Sequence, residues 1–163
     1  MYNKNMKIYI GSDHAGFGLK EKLIPYLTEL GHEVEDKGAH EYNEEDDYPD
    51  FIIPVAREVS KRPNEVKGII FGSSGQGEAM TANKFSDIRA ALYYGPGCAV
   101  VSEENLSIIN LSRSHNDANI LAIGASFVTE EDMKEAVKEW LNTPFSGEDR
   151  HKRRILKMDR INE

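Results

Sequence analysis

With 163 residues, 39% of them hydrophobic and 29% charged, the chain can bury one ordinary core and is neither a disordered polymer nor long enough for two full domains. Its 28 acidic residues against 20 basic ones leave a net charge of -8, which disfavours nucleic acid and anionic membrane as partners, and no apolar run approaches the roughly 20 residues that span a bilayer. A polar start from Met1 to Lys7 and a single cysteine, Cys98, lead us to expect a cytoplasmic protein with no intramolecular disulfide and no Cys-rich metal site.

Lys7-Ile-Tyr-Ile-Gly11 predicts the first strand. From about Gly16 to Leu30, Leu19, Leu23, Ile24, Leu27 and Leu30 recur at helical spacing, and Gly31 sits where a helix-ending glycine belongs. His32 to Asp36 can form a second strand. An acidic loop from Glu41 to Asp47 precedes Pro49, which can start a helix bearing Phe51, Ile52, Val55, Ala56 and Val59. Lys67-Gly-Ile-Ile-Phe-Gly72 is apolar on both faces, as a buried parallel strand must be. It runs into a glycine-rich loop and a short helix through Lys84. Further strands are expected at Ile88 to Tyr94 and Ile120 to Gly124, with a helix near 102–113 between them. Thr129 caps a last regular helix carrying Met133, Val137, Trp140 and Leu141, and the charged tail from Arg150 to Ile161 is expected to be helical too. This alternation predicts one α/β domain over 1–163, with a core at 7–143 and a helical tail at 148–163. Its fold is a doubly wound α/β/α sandwich around a five-stranded parallel sheet, which binds ligands at the carboxyl ends of its strands.

The chemistry concentrates in Gly72-Ser-Ser-Gly-Gln-Gly-Glu78. A glycine-rich turn after a buried strand aims main-chain N–H groups at an anion. Gly72 and Gly77 have Walker A spacing, yet Glu78 stands where the phosphate-binding lysine should be; Met80 occupies the third-glycine position of the dinucleotide pattern. Donors followed by a carboxylate suit enolisation instead: the nest bears an oxyanion while Glu78 takes a proton from the adjacent carbon. The plainer alternative is a tight turn whose glutamate complements a helix dipole. Gly11-Ser-Asp-His-Ala-Gly16 puts Asp13 and His14 at a second strand end on the same edge, where Asp13 can equally be an N-cap. Ser114-His-Asn-Asp-Ala-Asn119 is either a helix terminator or a site motif. Because it precedes a parallel strand, it lies near the opposite edge, so His115 can join Glu78 only across a two-fold dimer. Arg150 and Arg154, spaced i, i+4, can fork a phosphate from one helix face or remain a solvated basic patch. Tyr48 and the carboxylates around it can line a sugar pocket, although most of Glu41 to Asp50 reads as solvated loop. Cys98 reads as a small apolar residue rather than a nucleophile, and the histidines lack zinc spacing, so no metal is expected.

Taken together, Gly11–Gly16, Asp47-Tyr-Pro49, Gly72–Glu78 with Ala82-Asn-Lys84, Ser114–Asn119 and Arg150-His-Lys-Arg-Arg154 resemble, in order, the motifs of the type B ribose-5-phosphate isomerases, a group that includes the galactose-6-phosphate isomerase subunits. The resemblance covers nearly all of residues 7–158. It implies a Rossmann-like fold, a homodimer or tetramer with a shared active site, no cofactor, and interconversion of ribose 5-phosphate and ribulose 5-phosphate in the pentose phosphate pathway. By the family pattern, Asp13 and His115 would open the furanose ring. The loop Gly72, Ser73, Gly75, Gln76 and Gly77, with Ser74, would hold the enediolate oxygens. His14, Arg150 and Arg154 would hold the phosphate, and Tyr48 and Asn116 would line the sugar site, with His115 and Asn116 coming from the partner subunit. Many family members have a cysteine base where this chain has Gly72; another branch uses a glutamate, which points to Glu78 here. Departures from the pattern are Ser73 for a commoner glycine, Ser126 for a frequent arginine, and a longer stretch from Gly95 to Leu106. An isomerase of a six-carbon sugar phosphate (allose or galactose 6-phosphate) is the nearest rival. A non-catalytic sugar-phosphate sensor and a flavodoxin-like module are more distant ones.

Overall fold

The computed structural model describes residues 5–96 and 107–161. Five strands form one wholly parallel sheet: β1 (Lys7–Ser12), β2 (Glu33–Asp36), β3 (Lys67–Gly72), β4 (Ala90–Tyr93) and β5 (Ile120–Gly124), in the order β2-β1-β3-β5-β4. The crossovers are α1 (His14–Glu29), α2 (Pro49–Lys61), α3 (Gln76–Ala82) and α4 (Ile108–Ser114), followed by α5 (Glu130–Asn142) and α6 (Asp149–Asp159). One face of the sheet buries Ile8, Ile10, Ile69, Phe71, Leu121 and Ile123 against α1, α4 and α5. The other buries Tyr9, Ile70, Ile120 and Ala122 against α2 and α3. Alternate residues of β1, β3 and β5 thus serve both cores, which explains why their sequences are apolar throughout. This is the doubly wound α/β/α architecture expected from the sequence.

Local chemistry sets the element boundaries. Asp13 caps α1, its Oδ1 accepting from Gly16 N at 3.2 Å, so the helix begins at His14 rather than near Gly16. Thr129 and Asp132 form a full capping box on α5. Gly31, with φ +89°, allows the left-handed turn after α1. β4 is shorter than the expected Ile88 to Tyr94, because Arg89 N donates to the side chain of Asn119 instead of joining the ladder. α3 stops at Ala82, and the helix expected near 102–113 is described only from Ser107, its cap, onward. Cys98 and most of the long stretch 95–106 lie outside the described residues.

The strand order reverses between β1 and β3. The chain leaves β1 toward α1 on one face and leaves β3 toward α3 on the other, so the two loops part and leave a crevice at the carboxyl edge.

Candidate active site

That crevice gathers most of the residues singled out in the sequence. The glycine loop leaves β3 and turns at Gly75, whose φ of +73° favours glycine and whose missing Cβ leaves room for Leu92. Ala125 N donates to Gly72 O at 2.8 Å and Ser126 N to Ser73 O at 3.0 Å, which ties the loop's carbonyls to the end of β5. The N–H groups of Ser73, Ser74 and Gly75 make no hydrogen bond among the described residues. Three donors without acceptors on one turn form a nest for negative charge. Ser74 Oγ accepts from Gln76 N at 3.3 Å, and Ser73 Oγ meets Ser126 Oγ at 2.9 Å.

Glu78, in the first turn of α3, folds its side chain back under this loop and is only 4% exposed. A Cβ added at Gly72 would lie 1.8 Å from its Oε1. The carboxylate therefore occupies the volume that any side chain at 72 would fill. Burial pushes the Glu78 carboxyl above its ordinary value; its own N–H opposes this and the Asp13 charge adds to it. Asp13, likewise buried, is raised by desolvation, partly offset by the Gly16 N–H. Two carboxyls with proton affinities raised by burial, at a strand-end crevice, are suited to accept and return protons.

His14 borders the same crevice. Its Nδ1 lies 2.6 Å from Asp46 Oδ1, which also accepts from His14 N at 3.1 Å. The Asp46 hydrogen bond raises the affinity of the imidazole for its proton, more than burial lowers it. Asp46 belongs to the acidic loop expected to be mostly solvated. Its neighbours Glu44, Glu45 and Asp47 are exposed, but the Asp46 side chain is 7% exposed and its Oδ2 has no partner among the described residues. Sequence reasoning missed this residue, since the run of five acidic or amide positions from Asn43 to Asp47 gives no sign of which one turns inward. Tyr48, which precedes α2, lays its ring against Gly77, where an added Cβ would come within 2.7 Å of its hydroxyl. Asp13, His14 and Asp46 also form a group whose ligand atoms lie within 4.8 Å of one another and could hold a cation. Two of those three donors already meet in the His14–Asp46 hydrogen bond, so the group reads as a carboxylate-braced histidine.

The remaining expected residues are elsewhere in the chain. His115 caps the C-terminus of α4 and leads into the start of β5. The parallel register pairs Gly68 with Ile120 at one edge and Gly72 with Gly124 at the other, so about 13 Å of strand separates the His115 loop from the crevice. An imidazole cannot bridge that length within one chain. Asn116 is exposed beside His115, and its carbonyl accepts from Arg89 Nε at 3.1 Å. Asp117 receives Arg113 Nη1 at 2.7 Å and Arg89 Nη2 at 3.3 Å, which holds the loop rigid. Arg150 and Arg154 project from α6, which is fastened to this same far edge: His151 stacks on His115 and Asp159 pairs with Arg89. Arg150 Nε reaches Glu148 at 2.7 Å, whereas Arg154 has no partner among the described residues. The two halves of the expected site thus lie at opposite edges of the chain.

Comparison with known proteins supplies the context. The chain is similar to ribose-5-phosphate isomerase B of Mycolicibacterium paratuberculosis, 38% identical over 150 residues that cover 92% of this chain and 87% of that protein. It is similar to the probable ribose-5-phosphate isomerase B of Mycoplasma genitalium, at 36% identity over 96% of this chain and 95% of the other. Among solved structures, ribose-5-phosphate isomerase B of Mycoplasma genitalium with bound ribulose-5-phosphate superposes with a TM-score of 0.88 at 33% identity, covering 98% of this chain and 97% of that one. The enzyme of Clostridium thermocellum gives 0.83 at 40% identity, covering 96% and 97%. A model of the Ribose/Galactose Isomerase family matches residues 8–158, which take in the strand-end crevice, the His115 loop and nearly all of α6; the chain belongs to that family.

Proposed function

We propose that this chain is an aldose–ketose isomerase that interconverts ribose 5-phosphate and ribulose 5-phosphate in a site completed by a second copy of itself. The buried Glu78 carboxylate, set in the space beneath a nest of unpaired main-chain donors, carries the reading. Asp13, with His115 of the partner, opens the furanose ring. Glu78, ionised, takes the C2 proton; negative charge moves to the C1 oxygen of the cis-enediolate and is held by the N–H groups of Ser73, Ser74 and Gly75. A proton then passes from the C2 hydroxyl to the C1 oxygen, C2 becomes the carbonyl carbon, and return of the abstracted proton to C1 gives the ketose. Positioned acid–base catalysis contributes about 10²–10⁴-fold, so the nest must supply much of the remainder. Protonated His14 holds the phosphate together with Arg150 and Arg154, while Tyr48 and Asn116 line the sugar.

A two-fold dimer is supported by the division of the site between sheet edges. It is further supported by the apolar surface that the far edge leaves uncovered: Ile108, Leu156, Met158 and Ile161 are exposed, and His151 is the only buried residue of α6. Among the described residues no helix is long and apolar enough to cross a membrane.

The test is turnover of purified, metal-free protein on a panel of five- and six-carbon aldose phosphates, beside Glu78→Gln. We expect the highest kcat/KM on ribose 5-phosphate and loss of nearly all turnover in the variant with folding intact. Near-normal turnover by Glu78→Gln removes it as the base, and a preference for a six-carbon substrate reassigns the sugar.

A further inference from the structure

His151 takes no part in the proposed chemistry, although its position in the fold is unusual. α6 is otherwise an exposed, highly charged helix, yet it sinks one imidazole to 2% exposure. The ring lies 4.1 Å from that of His115, centroid to centroid, tilted by 36°. On its other side His151 Nδ1 meets Ser146 Oγ at 2.9 Å. Ser146 Oγ also accepts from Glu148 N at 3.3 Å, which leaves the hydroxyl proton to donate to Nδ1 and sets the tautomer. Ser146 N in turn donates to Ser114 O at 2.9 Å, so the α5–α6 connection is bolted to the residue before His115. The His115 side chain itself makes no hydrogen bond among the described residues. Its orientation is therefore governed by packing, and its flat neighbour is His151.

We propose that His151 is a positioning residue for the ring-opening step: a neutral imidazole platform, fixed by Ser146, that holds the His115 ring in the orientation it presents to the partner's crevice. The inference rests on the isomerase reading and deepens it. Two imidazolium rings at this separation would repel, so the platform must stay uncharged while His115 handles a proton. The surroundings favour that: burial lowers the proton affinity of His151 first, then the neighbouring His115, and Arg150 and Arg154 lower it further against the opposing Glu148 charge.

The chemistry of the two substrates separates this role from a merely structural one. Ribose 5-phosphate is mostly a closed furanose and needs ring opening before C2 can be deprotonated. Ribulose 5-phosphate has its C5 oxygen esterified and stays open, so Glu78 can exchange its C1 hydrogen with solvent without His115. We would measure kcat on ribose 5-phosphate, and deuterium incorporation at C1 of ribulose 5-phosphate in D2O by proton NMR, for wild type, H151A and H151F. Expected results are a fall of about 10- to 100-fold in kcat for H151A, exchange within about twofold of wild type, and recovery of most of the turnover in H151F, which restores a flat ring. Unchanged turnover in H151A overturns the proposal. So does an equal loss of turnover and exchange, which would mean general damage to the site. Should H151A fail to fold, H151F decides: turnover near wild type upholds the platform, and loss as deep as that expected of H151A refutes it. Failure of the underlying isomerase reading is distinguishable, because wild type would then incorporate no deuterium, and the inference would fall with it.

Discussion

Placing a single methyl group at position 72 tests whether the carboxylate proposed as the base, Glu78, sits where catalysis needs it. Gly72→Ala removes no functional group and leaves Glu78 in the chain, yet its Cβ would lie 1.8 Å from Glu78 Oε1. An ordinary contact is about 3.5 Å, so the carboxylate must retreat by roughly 1.7 Å. It can do so cheaply, since it is the end of a flexible side chain and Gly72 does not have the positive φ that alanine resists. The fold should therefore hold, with Tm moving by less than about 2 °C. The chemistry should not. A misplacement of about 1 Å costs on the order of 10²-fold, so kcat on ribose 5-phosphate should fall about 100-fold, equivalent to about 2.7 kcal/mol of transition-state stabilisation. KM should change little, because the residues proposed to hold the phosphate, His14, Arg150 and Arg154, are elsewhere. A coupled assay of ribulose 5-phosphate formation, with thermal unfolding alongside, reads both quantities. If Gly72→Ala keeps kcat within about threefold of wild type, the base does not act from the position described here.

Three further outcomes follow from the same geometry. Because burial raises the Glu78 pKa above its unfolded value of 4.5, the ionised group costs stability above the folded pKa and costs nothing below 4.5. Glu78→Gln should raise Tm at pH 8, by about 2–4 °C per kcal/mol of relieved penalty, and leave it unchanged at pH 4; an equal Tm at pH 8 contradicts the burial argument. Asp46→Asn replaces the carboxylate that raises the His14 pKa by a neutral, weaker acceptor, so His14 should lose its proton at lower pH. KM for ribose 5-phosphate should then rise about three- to tenfold at pH 8 and little at pH 6, and a pH-independent change would refute a charged His14 at the phosphate. Co-expressing Glu78→Gln with His115→Ala, each nearly inactive alone, should restore about a quarter of wild-type activity, since half of randomly paired dimers are mixed and one of their two sites carries both native residues. No recovery means the site is not shared.

The sequence disclosed more of the fold than of the site's wiring, and the division follows from the range of the interactions involved. Lys67–Gly72 announces a central strand because burial on both faces demands an unbroken apolar run. Thr129 and Pro49 mark helix starts because capping and the fixed φ of proline act within one turn. The opposite-edge placement of His115 could also be reasoned out, since a parallel strand fixes which end its preceding loop occupies. Contacts made across long stretches of chain were not legible. The His14–Asp46 pair joins loops 32 positions apart, and nothing in Glu41–Asp50 marks Asp46 as the acid that turns inward. Asn119, the last position of the Ser114–Asn119 motif, instead serves as scaffold: it accepts from Arg89 N and donates to Asp87 O, and it thereby shortens β4. The stacking of His151 on His115 depends on how α6 folds back after Ser146, which no local pattern encodes.

The strand-length gap between the crevice and the His115 loop has a thermodynamic corollary. If a second copy completes the site as proposed, a sugar phosphate that touches both chains binds the pair and not the separated subunits, so by mass action it acts as a glue whose strength grows with its concentration relative to Kd. Specific activity should therefore decline on dilution and be rescued by substrate, and loss of the partner would silence the enzyme without altering a single bond in either chain.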